Sequence, residues 1–166
     1  MHAITTDELL DYCAEENRRW HKWFQKNPAA LDLPSDIAGT KNVREVVLHI
    51  LAVELRYSER LLGKDPVTDY NELPLASVDD LFATTTTSER NFRKFLAKAK
   101  DDAAHWQEVL TFPTRTGGIL SASRRKIFAH ALLHGVRHWG QLATYLRQQG
   151  HKQDWPHDLI FSNVMQ

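Results

Sequence analysis

The chain has 166 residues, 21 basic and 21 acidic side chains, 42% hydrophobic residues and one cysteine. This length predicts a single domain spanning residues 1–166 with a sizeable core. The balanced charge lacks the basic footprint of a dedicated nucleic-acid binder, and one cysteine excludes an internal disulfide and a cysteine-based zinc site. We recognise neither a signal peptide nor a membrane-length apolar run, so we expect a cytoplasmic protein with no membrane partner.

Capping residues and apolar spacing predict four helices, and therefore an all-α four-helix bundle. Thr5 and Glu8 have the spacing of a capping box, so the first helix should run from about Thr6 to Lys26. The other helices are predicted at 43–62 ahead of Gly63, at 78–100, and from Ser121 or Ser123 to Gln149 ahead of Gly150. Residues 31–41 and 65–76 have the composition of loops, and 105–121 that of a short β-hairpin or ordered loop.

Three histidines follow one another at steps of four on the fourth helix, namely His130, His134 and His138. Such steps keep side chains near one helix face, where two imidazoles can close on one metal ion. His134 and His138 lie on the apolar seam, whereas His130 lies one position off it. His130 and His138 are also roughly 12 Å apart along the axis, too far to share an ion whose bonds to nitrogen measure about 2.0–2.1 Å. We therefore predict His134 and His138 as ligands and set His130 aside as peripheral.

The third ligand must come from another helix, and His49 on the apolar stripe of the second helix is the best candidate. Three neutral histidines leave a coordination position for water or substrate, which is typical of a catalytic site. Gln141 shares the face of the two ligands and is predicted to orient one of them or to touch the substrate. Surface histidines, or core histidines hydrogen-bonded to neighbours, would produce the same sequence pattern without any metal.

Other metal and phosphate sites are poorly supported by the sequence. There is no His-Glu-x-x-His motif, and no carboxylate stands three residues before any of the three predicted ligands, as a ferritin-like di-iron site would require. No glycine-rich phosphate loop is recognisable. The sequence singles out no general base, and Glu45 and Glu54 on the second helix are both candidates.

Three segments of the sequence point to a known family: Val43–Glu54, His130–Leu142 running on to Gly150, and the tail Asp158–Phe161. Together they resemble the DinB/YfiT-like family, whose members are grouped as metalloenzymes although most have no established reaction. The resemblance implies a four-helix bundle in up-down-down-up order and often a homodimer. It also implies a divalent metal on His49, His134 and His138. Zinc or nickel is the expected ion in a purified sample, with iron and manganese as further candidates.

Some relatives in that family use a low-molecular-weight thiol as cosubstrate. By resemblance we expect a thiol-dependent S-transferase acting on a small electrophilic substrate. A metal-dependent hydrolase and a non-catalytic metal-binding stress or assembly module are the alternatives. One position departs from the family pattern, because Trp139 follows His138 where an arginine is common. Arg137 and Arg147 are the residues that would compensate for it.

Overall fold

The computed structural model describes residues 4–65, 77–99, 102–114 and 117–165. The predicted all-α architecture is confirmed, with one small two-stranded sheet as the hairpin between the last two long helices. The elements in chain order are α1 (Thr6–Lys26), α2 (Val43–Leu61), α3 (Val78–Ala99), α4 (Ala103–Gln107), β1 (Val109–Pro113), β2 (Ile119–Ser123) and α5 (Arg124–Gln148). Short 3₁₀ helices occupy Pro28–Asp32, Ile37–Gly39 and Leu159–Phe161. Within the described ranges no helix combines the length and apolarity that a membrane span needs.

The long helices begin where side-chain caps satisfy their first backbone N–H groups. Thr5 and Glu8 form the predicted capping box, with each side chain accepting a hydrogen bond from the other residue's N–H. Ser123 caps α5 by accepting from the Lys126 N–H. A helix start at Ser121 is therefore wrong, because Ser121 belongs to β2. The short helix α4 was not predicted, and residues 66–76 of the predicted loop lie outside the described residues.

The two strands pair antiparallel, with Val109 opposite Ser123 and Pro113 opposite Ile119. Arg124, the first residue of α5, joins this hairpin to the bundle. Its guanidinium donates to both carboxylate oxygens of Glu108, at 2.9 and 3.0 Å, and also to the backbone carbonyl of Leu61 at the end of α2. These contacts tie the start of α5 to the end of α2, and so help to fix which faces of the two helices meet.

The core consists of two apolar clusters. The first surrounds Trp20 and joins α1 to α2 and the C-terminal half of α5; its buried members include Phe24, Val46, Ile50, Leu81 and Leu142. The second joins α1, α3 and the N-terminal half of α5; its buried members include Leu10, Phe92, Phe95, Phe128 and Leu132. Since α2 packs against α3 and α5, one face of α2 lies along the helix that carries the other two predicted ligands.

The residues after α5 fold back onto α1, where buried polar side chains hold them. Glu16 accepts a hydrogen bond from Trp155 Nε1 at 3.1 Å and pairs with His157 Nδ1 at 2.8 Å. Glu15 accepts from Asn163 Nδ2 at 2.8 Å. The ring of His157 also stacks on Trp20, with centroids 5.3 Å apart. The tail therefore forms part of the bundle, and its attachment to α1 is polar as well as apolar.

Candidate metal centre

His49, His134 and His138 converge between α2 and α5. The ring centroid of His49 lies 4.8 Å from that of His134 and 5.1 Å from that of His138. The ring centroids of His134 and His138 are 4.4 Å apart. One nitrogen can be chosen from each residue such that all three lie within 4.8 Å of one another. Because His134 and His138 are one helical turn apart and His49 faces them from α2, the three rings surround a common point.

His130 remains outside this group, as its position off the seam predicted. Its side chain is exposed, its ring centroid lies 5.5 Å from that of His134, and its ring meets Tyr57 edge-on at 5.3 Å. His138 is only 2% exposed, whereas His49 and His134 are half-buried. The cluster therefore reaches the solvent through two of its three rings rather than being sealed inside the bundle.

The state of His134 fits a metal ligand. Its Nδ1 atom is buried, and no hydrogen-bond partner for it lies among the described residues. Burial, and then the neighbouring His138 and His49, lower the pKa of His134 to about 3. The imidazole is therefore neutral at physiological pH and presents a lone pair. Neutral imidazoles are good ligands for zinc, nickel, iron and copper, so an orphaned nitrogen among three converging rings fits a divalent ion of this kind.

Two neighbours fix the tautomer of His138. Its Nε2 lies 2.9 Å from Nη2 of Arg137, and its Nδ1 lies 2.7 Å from Oε1 of Gln141. A guanidinium can only donate, so Nε2 must accept with its lone pair, and the proton is on Nδ1, which donates to Gln141. Gln141 therefore holds the ring of His138 in place, and the lone pair of His138 is on Nε2. Burial lowers the pKa of His138, the bond to Gln141 opposes that shift, and the charge of Arg137 adds to it.

Comparison with known proteins identifies the family of this chain. A sequence model of the DinB family matches residues 1–162. The chain belongs to the DinB family. It is also similar to the uncharacterized protein YizA of Bacillus subtilis (strain 168), with 23% identity over 146 residues that make up 85% of this chain and 86% of that protein.

In this DinB-family chain the residue after His138 faces the core. Trp139 is 3% exposed, stacks on Trp20 with centroids 5.0 Å apart, and donates from Nε1 to Oδ1 of Asn17 at 2.9 Å. The aromatic ring thus extends the first core cluster and links α5 to α1. Arg147, one of the two arginines considered as a substitute, is exposed in the last turn of α5. Arg137 is the one that contacts a predicted ligand.

Each carboxylate considered as a general base has a hydrogen-bond partner other than the three histidines. Glu45 accepts a hydrogen bond from the Lys41 N–H at 2.8 Å, at the start of α2. Glu54 is 3% exposed and accepts from Asn17 Nδ2 at 2.8 Å, so it belongs to the core. Burial raises the pKa of Glu54 to about 8, although the bond from Asn17 lowers it. Glu54 is thus predominantly protonated at neutral pH and is a poor base there.

Sequence reasoning did not foresee the buried network of Asn17, Glu54 and Trp139. Two signals for it exist in hindsight. Glu54 is a single acid within the apolar run Ile50–Leu55, and Gly135 is a glycine in a helix interior. A Cβ placed on Gly135 would lie 2.7 Å from Oε1 of Glu54, so the glycine makes room for the carboxyl group. Neither residue indicates a buried contact between the two helices until α2 is known to pack on α5.

Proposed function

We propose that this chain is a divalent-metal-dependent enzyme that uses His49, His134 and His138 as its metal ligands. The observation that carries the proposal is the convergence of three histidine side chains from two helices. The Nδ1 atom of His134 adds to this argument, because it is buried without a hydrogen-bond partner among the described residues, and such an atom costs desolvation energy that a bound metal would offset. The bond from His138 to Gln141 supports the same conclusion, since ligating histidines commonly donate their other ring N–H to an oxygen.

The reaction we propose is the transfer of a small electrophilic group to a low-molecular-weight thiol. In that reaction the thiol loses its proton, its sulfur bonds to the electrophilic carbon, and the leaving group departs with the electron pair of the broken bond. A bound divalent ion supplies Lewis acidity, which lowers the pKa of a coordinated thiol. The protein's own contribution is to hold three histidines as ligands, with Gln141 fixing the ring of His138.

The exposure of the site favours an enzyme over a purely structural metal module. Structural zinc sites are closed by four protein ligands, whereas catalytic sites keep three and leave a position for water or substrate. Here three histidines converge, and two of them are half-buried rather than sealed. Zinc or nickel is the metal we propose for a purified sample. The homodimer expected from the family resemblance stays a prediction.

Elemental analysis of protein purified without an affinity tag tests the metal site. We expect about one divalent ion per chain in the wild type and little metal in His49→Ala and in His134→Ala. His130→Ala, as matched control, should keep the metal. Wild-type protein that binds no metal under these conditions would overturn the proposal. The reaction is tested separately, since thiol conjugation that persists in the double variant His134→Ala/His138→Ala would exclude a metal-dependent transferase.

A further inference from the structure

Arg137 is the charged side chain that contacts the ligand cluster. Its Nη2 atom lies 2.9 Å from Nε2 of His138, the nitrogen whose lone pair is available to a metal. A lone pair serves one partner, so a metal ion on Nε2 and the hydrogen bond from Arg137 exclude each other. Since Arg137 directly precedes His138 on the helix, its guanidinium stays beside the site when that bond is broken.

The charge of Arg137 is not balanced by an acid. The side chain is exposed, and no carboxylate pairs with it within the parts of the chain that the structure describes. Its positive charge lies within hydrogen-bond distance of the His138 ring. A metal ion on the three histidines would add to that positive charge. An anion would therefore be attracted to the mouth of the site.

The chemistry of the guanidinium narrows the choice of anion. Arginine presents a planar fork of N–H donors that matches the oxygens of carboxylate, sulfonate and phosphate groups. We propose that Arg137 is the anion-binding residue of this site, and that it selects small thiols that carry such a group. The thiol sulfur and the anionic group would then be recognised at two points, the sulfur by the metal and the oxygens by Arg137. This inference rests on the proposed metal-dependent function.

Cobalt-loaded protein tests the proposal without any knowledge of the reaction. A thiolate bound to Co²⁺ gives a charge-transfer absorption band, which reports binding directly. The two probes are 2-mercaptoethanesulfonate and 2-mercaptoethanol, which carry a sulfonate and a hydroxyl group respectively. Since a sulfonate is a weak metal ligand, a preference for the first probe would not come from its sulfonate binding the cobalt. Their dissociation constants should be measured at one pH and corrected for the thiolate fraction of each compound. We expect the wild type to bind the sulfonate thiol more tightly, on the order of tenfold, as for one charge-assisted hydrogen bond.

Substitutions assign the preference to one side chain. Arg137→Gln should bind both thiols with similar affinity, and Arg137→Lys should keep part of the preference. Arg125→Gln is the matched control, because Arg125 is an exposed arginine more than two turns before His134 on the same helix, and it should behave as the wild type. Equal affinities in the wild type, or an equal loss in Arg125→Gln, would overturn the role of Arg137 and leave the metal site standing. If the wild type binds no Co²⁺, or shows no band with either thiol, the proposed function fails and this inference fails with it.

Discussion

Glu54 places a carboxyl group in the core against the backbone of α5. Its Oε2 atom accepts from Asn17, while its Oε1 atom is buried and finds no hydrogen-bond partner among the described residues. Gly135, which stands directly after the proposed ligand His134, leaves the space that Oε1 occupies. A charged carboxylate would be costly in this position, and protonation avoids that cost. The carboxyl group of Glu54 therefore fits in the core only because residue 135 has no side chain.

The first prediction concerns Gly135→Ala. Its new Cβ would meet Oε1 of Glu54 at 2.7 Å, and Glu54 is held by Asn17 and enclosed by the core. We expect the free energy of unfolding to fall by about 1–3 kcal/mol, as is usual for overpacking. Urea denaturation measures the change. Gly140→Ala is the control, because a Cβ there meets no atom within 4 Å, and it should stabilise the helix by up to about 1 kcal/mol.

A double-mutant cycle shows whether Glu54 is the cause of that destabilisation. In a Glu54→Ala background the methyl group of Gly135→Ala no longer meets a carboxyl oxygen, so its destabilising effect should disappear. Additive effects of Glu54→Ala and Gly135→Ala would contradict the packing explanation. A loss of stability in Gly140→Ala as large as that in Gly135→Ala would contradict it as well, because backbone flexibility would then be the common cause.

The second prediction follows from the raised pKa of Glu54. The pKa is about 8 in the folded chain against an ordinary value of 4.5, so between these values the folded state holds a proton that the unfolded state has lost. The contribution of Glu54 to the free energy of unfolding is therefore greatest below about pH 4.5. It falls as the pH rises towards 8, at up to about 1.4 kcal/mol per pH unit. Glu54→Gln should lack this slope. The nearby thiol of Cys13 stays neutral, because burial, Glu54 and Glu16 raise its pKa.

The measurement is urea denaturation of metal-free wild type and Glu54→Gln between pH 5 and 8. The lowered pKa values of His130, His134 and His138 make stability rise with pH below about 6.5, which opposes the effect of Glu54. The informative quantity is therefore the difference between the two proteins. It should grow in favour of Glu54→Gln as the pH rises. A difference that stays constant across this range would show that Glu54 titrates normally.

At the scale of elements, local signals predicted the long helices well. The caps at Thr5 and Ser123 depend only on residues within one helical turn, so they can be recognised from the sequence. The placement of His134 and His138 on one face of α5 was also predictable, since four-residue spacing on an apolar seam is a property of one helix. The short helix α4 and the extension of β2 to Ser123 were not, because such short elements depend on contacts with the rest of the chain.

The partner of a buried polar residue is harder to predict than its helix. Nothing local to Asn17 shows that its amide joins Glu54 on α2 to Trp139 on α5. The same holds for Arg137, whose spacing from His138 does not reveal that its guanidinium turns to Nε2. Each of these contacts depends on how helices pack or on a side-chain rotamer, and a single sequence without relatives records neither directly.

The third prediction concerns the attachment of the tail to α1. Glu16→Ala removes the acceptor of Trp155 Nε1 and His157 Nδ1, and leaves both groups without that partner. We expect a loss of about 1–3 kcal/mol in stability and faster amide hydrogen exchange in the tail, from Trp155 to Asn163. Asp11→Ala serves as control, because Asp11 lies on the same helix but pairs with Arg93. Tail exchange rates in Glu16→Ala that equal those of the wild type would show that apolar packing alone holds the tail.

For the whole molecule, a metal on three histidines would join α2 to α5. His49 lies far from His134 and His138 in the sequence, so an ion that binds all three links segments that are distant in the unfolded chain. Binding to the folded state alone stabilises that state in proportion to the logarithm of the ligand concentration. A metal ion bound there would therefore affect the stability of the bundle as well as any reaction at the site.

The fourth prediction measures that link. Zn²⁺ at about one hundred times its dissociation constant should add about 2.7 kcal/mol of stability, and for a chain of this length the melting temperature should rise by roughly 5–10 °C. Excess chelator should reverse the rise. His49→Ala should lose it as completely as His134→Ala, because either change removes one of three ligands from opposite helices. His130→Ala should retain it, since His130 is exposed and lies outside the cluster. A shift that survives in His49→Ala but disappears in His130→Ala would mean that the ion binds along α5 alone, and that α2 supplies no ligand.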